Sequence, residues 1–465
     1  MNMINVRRLA VMTFLGAGML SDISAQDFSL QADTLNEARL PAQWDLQSCI
    51  DYALEQNITI RKNRVTAAST QIDVKTAKAA LFPSLSFSTS QQVVNRPYQE
   101  TSSRVSGSEI ISSNSKTSYN GNYGLNASWT IYNGSKRLKT LKQERLNNQV
   151  AELDVATSEN TIKESIAQIY IQILYAAESV RVNENTLQVS IAQRDRGQEL
   201  LNAGSIAKSD FAQLEAQVST DRYQLVTAQA TLQDYKLQLK QLLELDGENE
   251  MNVYLPNLSD ENVLAPLPAK KDVYVSALAI RPEIEASKLN VEASELGIDI
   301  AKSSYFPTIS LSAGIGTNHT SGSDFTFGEQ VKNGWNNSIG LSVSVPIFNN
   351  RQTKSAVQKA KLQRETNMLS LLDEQKALYK TIESLWLDAN SAQQRYAAAN
   401  EKLRSTQISY DLISEQFNLG MKNTVELLTE KNNLLQAQQE QLQAKYMAIL
   451  NTQLLKFYQG DKLTL

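Results

Sequence analysis

Residues 119–131 read Tyr-Asn-Gly-Asn-Tyr-Gly-Leu-Asn-Ala-Ser-Trp-Thr-Ile, and the reading of this stretch decides the fold. Its odd positions, Tyr119, Tyr123, Leu125, Ala127, Trp129 and Ile131, are apolar or aromatic apart from Gly121. The even positions, Asn120, Asn122, Gly124, Asn126, Ser128 and Thr130, are small and uncharged. Period-two alternation marks a β-strand with two different environments on its faces. A half-buried strand of a soluble sheet alternates in the same way. Its solvent face normally carries charge, however, whereas a wet lumen suits uncharged small residues.

Three further segments share the pattern. Ile309, Leu311, Ala313 and Ile315 alternate with Thr308, Ser310, Ser312 and Gly314, and Ile339, Leu341, Val343 and Val345 alternate with Ser338, Gly340, Ser342 and Ser344. Leu85 and Phe87 against Ser84, Ser86, Ser88 and Ser90 form a weaker fourth. Segments of about ten residues match tilted membrane strands. Phe82, Trp129, Tyr132, Phe306 and Phe348 lie at segment ends and are candidate membrane-interface aromatics. The loops at about 95–117 and 317–336 are expected to be extracellular, and His319, the one histidine, is expected in the second.

The chain is a duplication. Tyr52-Ala53-Leu54 returns as Ser276-Ala277-Leu278, and Phe82-Pro83-Ser84 returns as Phe306-Pro307-Thr308, both displaced by 224 positions. Ile131-Tyr132-Asn133 returns as Ile347-Phe348-Asn349, and Asn202-Ala203-Gly204 as Asn418-Leu419-Gly420, displaced by 216. The eight extra residues of the first copy fall between its strands, where a loop tolerates them.

Long helices flank the strands. No proline lies between Pro97 and Pro256 or after Pro346, and apolar residues recur every seven positions, as in Ile166, Ile173, Val180 and Leu187, or Leu428, Leu435, Leu442 and Ile449. That 3.5-residue period predicts antiparallel coiled-coil hairpins that turn near Gly204 and Gly420. The fold class expected is mainly α with membrane β. Each chain would supply four strands of an oligomeric barrel, because four strands alone leave edges that lipid does not tolerate.

The expected organisation begins with a signal peptide at 1–25 and an N-terminal extension at 26–43. The first repeat covers 44–246, with strands at about 83–95 and 118–132 and a hairpin at 134–246. A linker follows at 247–272. The second repeat covers 273–456, with strands at about 307–317 and 337–347 and a hairpin at 350–456, before a tail at 457–465. The signal reading rests on Arg7 and Arg8 before a short apolar run and on the small residues ending at Ala25. A membrane anchor is the alternative, but that run is too short to span a bilayer.

Composition excludes other classes. A net charge of −4 gives no electrostatic reason to expect a nucleic-acid partner. Cys49 and His319, each the only residue of its type, supply neither a metal site nor a nucleophile and base. No catalytic residue, metal or cofactor is expected. A periplasmic or secreted structural coiled coil explains the heptads but leaves the four strands without a purpose.

Trp44 with Cys49-Ile50-Asp51-Tyr52-Ala53-Leu54, the Phe82-Pro83 and Phe306-Pro307 junctions, and the Ile131-Tyr132-Asn133-Gly134 and Pro346-Ile347-Phe348-Asn349 returns resemble the TolC family of outer-membrane efflux proteins. The resemblance implies a homotrimer sharing a 12-stranded barrel in outer-membrane lipid, with a periplasmic α-barrel. It also implies docking to a periplasmic adaptor and an inner-membrane transporter. Small-molecule efflux is the expected use, with type I protein secretion as the alternative. Ala203, Gly204, Ser205, Leu419, Gly420 and Met421 match adaptor-contact tips. Asp210, Lys422 and Glu426, with Phe417, match the periplasmic entrance, where Lys422 is expected to pair with an acid of a neighbouring hairpin such as Asp210. The family's second acid is Thr429 here, next to Glu430.

Overall fold

The computed structural model describes residues 41–98, 102–106, 109–113, 116–246, 251–256, 263–321, 323 and 325–464. The signal peptide and residues 26–40 of the extension lie outside the described residues. A small unit pairs Trp44 with residues 252–254: the Trp44 N–H donates to the Asn252 carbonyl at 2.8 Å, and the Tyr254 N–H donates to the Trp44 carbonyl at 2.9 Å.

The large unit opens with helices α1 (Leu46–Gln56) and α2 (Ile58–Ala79) and strand β1 (Ser84–Asn95). A hairpin of β2 (Ser102–Ser106) and β3 (Glu109–Ser113) precedes β4 (Thr117–Asn133), and α3 (Lys136–Asn202) and α4 (Lys208–Leu242) follow. The second half runs α5 (Lys270–Ile280), α6 (Pro282–Ser303), β5 (Thr308–Thr320), α7 (Phe327–Asn333), β6 (Asn336–Ser344), α8 (Gln352–Asn418) and α9 (Thr424–Gln459).

Three expectations need correction. The segments at 95–117 and 317–336 are not plain loops: the first carries the β2–β3 hairpin and the second carries α7, whose Thr326–Glu329 capping box starts a helical turn. His319 lies in β5 rather than in a loop. The last helix runs to Gln459, so it takes in the first three residues of the expected tail, and α5 begins inside the expected linker.

Helices α3 and α8 have 67 residues each, about 100 Å at 1.5 Å per residue. Each is entered through two successive left-handed residues, Gly134-Ser135 (φ +68° and +62°) and Asn350-Arg351 (φ +49° and +66°), which swing the chain from strand to helix. At position 134 only glycine fits, because a Cβ there would meet the Ser303 carbonyl oxygen at 2.6 Å. The heptad rows become the seam. Ile166, Ile173, Leu214, Val218 and Leu239 are buried in the first hairpin; Leu378, Ile382, Ala389, Tyr396, Leu427, Leu435 and Leu442 are buried in the second. No helix among the described residues is long and apolar enough to cross a membrane.

The sheet has the order β1-β4-β5-β6, antiparallel throughout. β1 and β6 are its edges, so each offers an unpaired row of backbone groups.

The two repeats diverge where the short helix meets the longer one. Asn57 caps α2 through its side chain and donates to the Leu242 carbonyl at 3.0 Å. Its counterpart 224 residues on is Arg281, buried and paired with Glu164 at 2.7 Å and Glu283 at 3.0 Å, its guanidinium 3.8 Å from the Tyr458 ring centre. Burial there pushes the Glu164 carboxyl above its ordinary range and the Tyr458 hydroxyl up to about 12. Val273, Ala277, Ile284, Leu378, Ile382, Ala389 and Leu455 pack with Tyr458 in one cluster.

Candidate functional site

Strand register sorts the sheet into two chemically distinct faces. Leu85 pairs with Ala127 and Phe87 with Leu125; Trp129 pairs with Leu311 and Leu125 with Ile315; Leu341 pairs with Leu311 and Val343 with Ile309. These residues share one face because side chains directly opposite in a ladder point the same way. The other face carries Ser84, Ser86, Ser88, Asn122, Asn126, Ser128, Ser310, Ser312, Ser338 and Ser342, and Ser84 Oγ lies 2.8 Å from Ser128 Oγ. A bulge between Thr130 and Tyr132 displaces Ile131, which turns Tyr132 to the apolar face opposite Ile309. Phe82, Trp129, Tyr132, Phe306 and Phe348 are all exposed, and the Trp129 indole donates to the Leu81 carbonyl at 2.8 Å.

At the far ends of the long helices the two hairpins turn identically. Gly204 (φ +73°) donates its N–H to the Leu201 carbonyl and Ser205 donates to Leu200; Gly420 (φ +76°) donates to Phe417 and Met421 to Gln416. Both are Schellman turns that satisfy the last helical carbonyls. The second turn projects two large apolar side chains into solvent: Leu419 is 69% exposed and Met421 71%. Ala203, Gly204, Ser205 and Gly420 are exposed beside them.

Asp210 lies in the first turn of α4, where a carboxylate favours the helix dipole. Lys422 does not pair with Asp210 in the chain. It donates to Glu426 four residues on, at 2.6 Å, and Glu426 also completes a capping box with Asn423. The Lys422 bond and the Asn423 N–H hold the Glu426 carboxyl below its ordinary range. Phe417 is buried in the seam. The chain therefore brings Lys422 and Glu426 together and leaves Asp210 apart from them.

One cluster joins residues that the sequence leaves far apart. Lys431 of α9 donates to Asp221 of α4 and to Ser190 of α3, and the Ser190 hydroxyl donates to Asp221. The Lys431 and Asp221 side chains are 3% and 1% exposed. Gln217 completes the group by donating to the other Asp221 oxygen at 2.9 Å. Burial lowers the Lys431 pKa, and the Asp221 carboxylate acts against that shift. The cluster joins the two hairpins roughly 20 Å from the tips at 1.5 Å per residue. Its one sequence signal was a charged residue at seam spacing in α9: Lys431 stands four residues beyond Leu427 and four before Leu435.

The model of a family described as outer membrane efflux protein matches residues 49–244 and 273–460, one match per repeat. The outer membrane efflux protein BepC of Brucella suis is 25% identical over 294 residues, covering 63% of this chain and 61% of that protein. The outer membrane protein TolC of Escherichia coli is 24% identical over 341 residues, covering 70% of this chain and 66% of TolC. The solved structure of the outer membrane protein VceC of Vibrio cholerae superposes with a TM-score of 0.73 at 16% identity, over 90% of this chain and 97% of that one. The chain thus spans about two thirds of these curated relatives, while the fold likeness extends over nearly all of VceC.

Proposed function

The chain belongs to the outer membrane efflux protein family, and from that membership we propose that it is the exit duct of a tripartite export system in the outer membrane of a Gram-negative bacterium. The observation that carries the proposal is the four-stranded sheet. Its apolar face suits lipid, its Ser and Asn face suits water, and its two open edges require other copies. Three chains closing edge to edge make a barrel of 12 strands, and the six long hairpins then run together into the periplasm as a tunnel. This is a channel family, and the protein's task is passage rather than chemistry.

An adaptor docks, in this reading, on the exposed Leu419 and Met421 and on the surrounding tip residues, and an inner-membrane transporter supplies the energy. Asp210, Lys422 and Glu426 line the entrance, where carboxylates and an ammonium meet passing solutes. That transporter also decides whether the cargo is a small molecule or a secreted protein. Purified protein in mild detergent tests the proposal: trimeric rings by electron microscopy and single-channel conductance in planar bilayers are expected. A stable monomer that leaves bilayers silent overturns it.

A further inference from the structure

Helix α7 does not stand out beyond the barrel rim; it folds back along the apolar face of β5. Two contacts of α7 fix this direction, one of them on a histidine that is itself packed against β4. The Phe327 ring packs edge-on against His319 with centroids 5.1 Å apart, His319 packs against Tyr119 at 5.0 Å, and the Thr317 hydroxyl donates to the Val331 carbonyl at 2.7 Å. Thr317 and His319 continue the row of Ile309, Leu311, Ala313 and Ile315, so α7 lies on the same face as that row. Gly121, opposite His319, makes the space: a Cβ there would meet His319 Nδ1 at 2.5 Å.

Phe325, Phe327 and Trp335, which flank and begin α7, are 53%, 43% and 57% exposed. Phe327 continues an apolar face that the duct reading already assigns to lipid, and Phe325 and Trp335 stand exposed at either end of the same short helix. Their height is set by the strand. Ten residues separate Ile309, opposite Tyr132, from His319, a length of about 33 Å along the strand and about 25 Å across a membrane at a tilt near 40°. That matches the apolar band of about 25 Å in outer-membrane barrels. Trp and Phe at such a boundary place their rings among headgroups and upper acyl chains.

We propose that α7, with Phe325 and Trp335, is an interfacial foot seated in the lipid headgroup region of the outer leaflet. It forms a second aromatic belt together with Tyr119, Tyr123 and His319. The inference rests on the duct reading, since it takes the apolar face to be the lipid face.

The test is spin-label accessibility on the full-length protein, reconstituted in phosphatidylethanolamine–phosphatidylglycerol vesicles. Gly328→Cys labels α7 at a position with no heavy atom near its Cβ, Ile339→Cys labels the middle of the band, and Ser205→Cys labels the aqueous tip. Cys49 is fully buried and stays unlabelled. The expected oxygen-to-nickel-chelate collision ratio is highest at Ile339, lowest at Ser205, and at Gly328 several-fold above Ser205. A Gly328 ratio equal to that of Ser205, with Ile339 in lipid, overturns the foot alone. So does a label at Gly328 that neither reagent reaches, which would mean that a neighbouring protein copy covers α7. An aqueous Ile339 overturns the duct reading itself.

Discussion

Replacing Lys431 with methionine leaves the Asp221 carboxylate, 1% exposed, with only neutral donors from Ser190 and Gln217. Removing one partner of a buried ion pair typically costs about 3–5 kcal/mol, because the remaining charge has lost both water and counter-charge. At about 1.4 kcal/mol per tenfold, that is a rise of roughly two to four orders of magnitude in local opening. Hydrogen exchange read by mass spectrometry reports it directly. Peptides around Ser190, Asp221 and Lys431 should exchange faster by that factor, while those around Trp386 and Tyr458 hold. The double variant Lys431→Met with Asp221→Leu removes both charges and should return exchange near the parent rate or below it, since an apolar pair of similar volume is often neutral or stabilising. Unaltered exchange in the single variant, or a double variant worse than either single, refutes the claim that desolvated charge holds the hairpins together at this level.

Four other outcomes are expected. Gly204→Ala and Gly420→Ala should each lower the thermal unfolding temperature, since a side chain at φ near +75° costs about 1–2 kcal/mol although the surrounding space is open; Asn at either position should cost less. Burial pushes the Cys49 thiol up to about 12, so native protein at pH 8 should resist alkylation until it unfolds. Cys49 and Tyr458 both keep protons in the folded chain after their unfolded counterparts, ordinarily near 9 and 10, have lost them. The folded state then binds more protons, and stability should fall as pH rises from about 9 towards about 12, by at most about 1.4 kcal/mol per pH unit per group. Cys49→Ala should flatten part of that slope in denaturant titrations. At the proposed entrance, Lys422→Ala frees the Glu426 carboxylate and should raise single-channel cation conductance in planar bilayers, whereas unchanged conductance would remove Lys422 from that role.

Period two in residues 119–131 and period seven along α3 and α8 are local properties of a chain, and so the strands, the hairpins and the two glycine turns could be read directly. A sheet of four strands with opposite faces and no closure followed from the same alternation, and with it the need for partner copies. The rest depended on residues distant in sequence meeting in space. Ser190, Asp221 and Lys431 come from three helices, with up to 241 positions between them, and no periodicity announces that two charges will share a dry seam. Arg281 stands at the joint that Asn57 occupies in the first repeat, held there by Glu164 and Tyr458 from two other helices. Lys422, just ahead of the Asn423 cap, reaches Glu426 in the first turn of α9 because the tip turn sets the two side by side. The direction in which α7 folds was equally a tertiary matter, settled by a histidine ring, a glycine opposite it and one threonine hydroxyl.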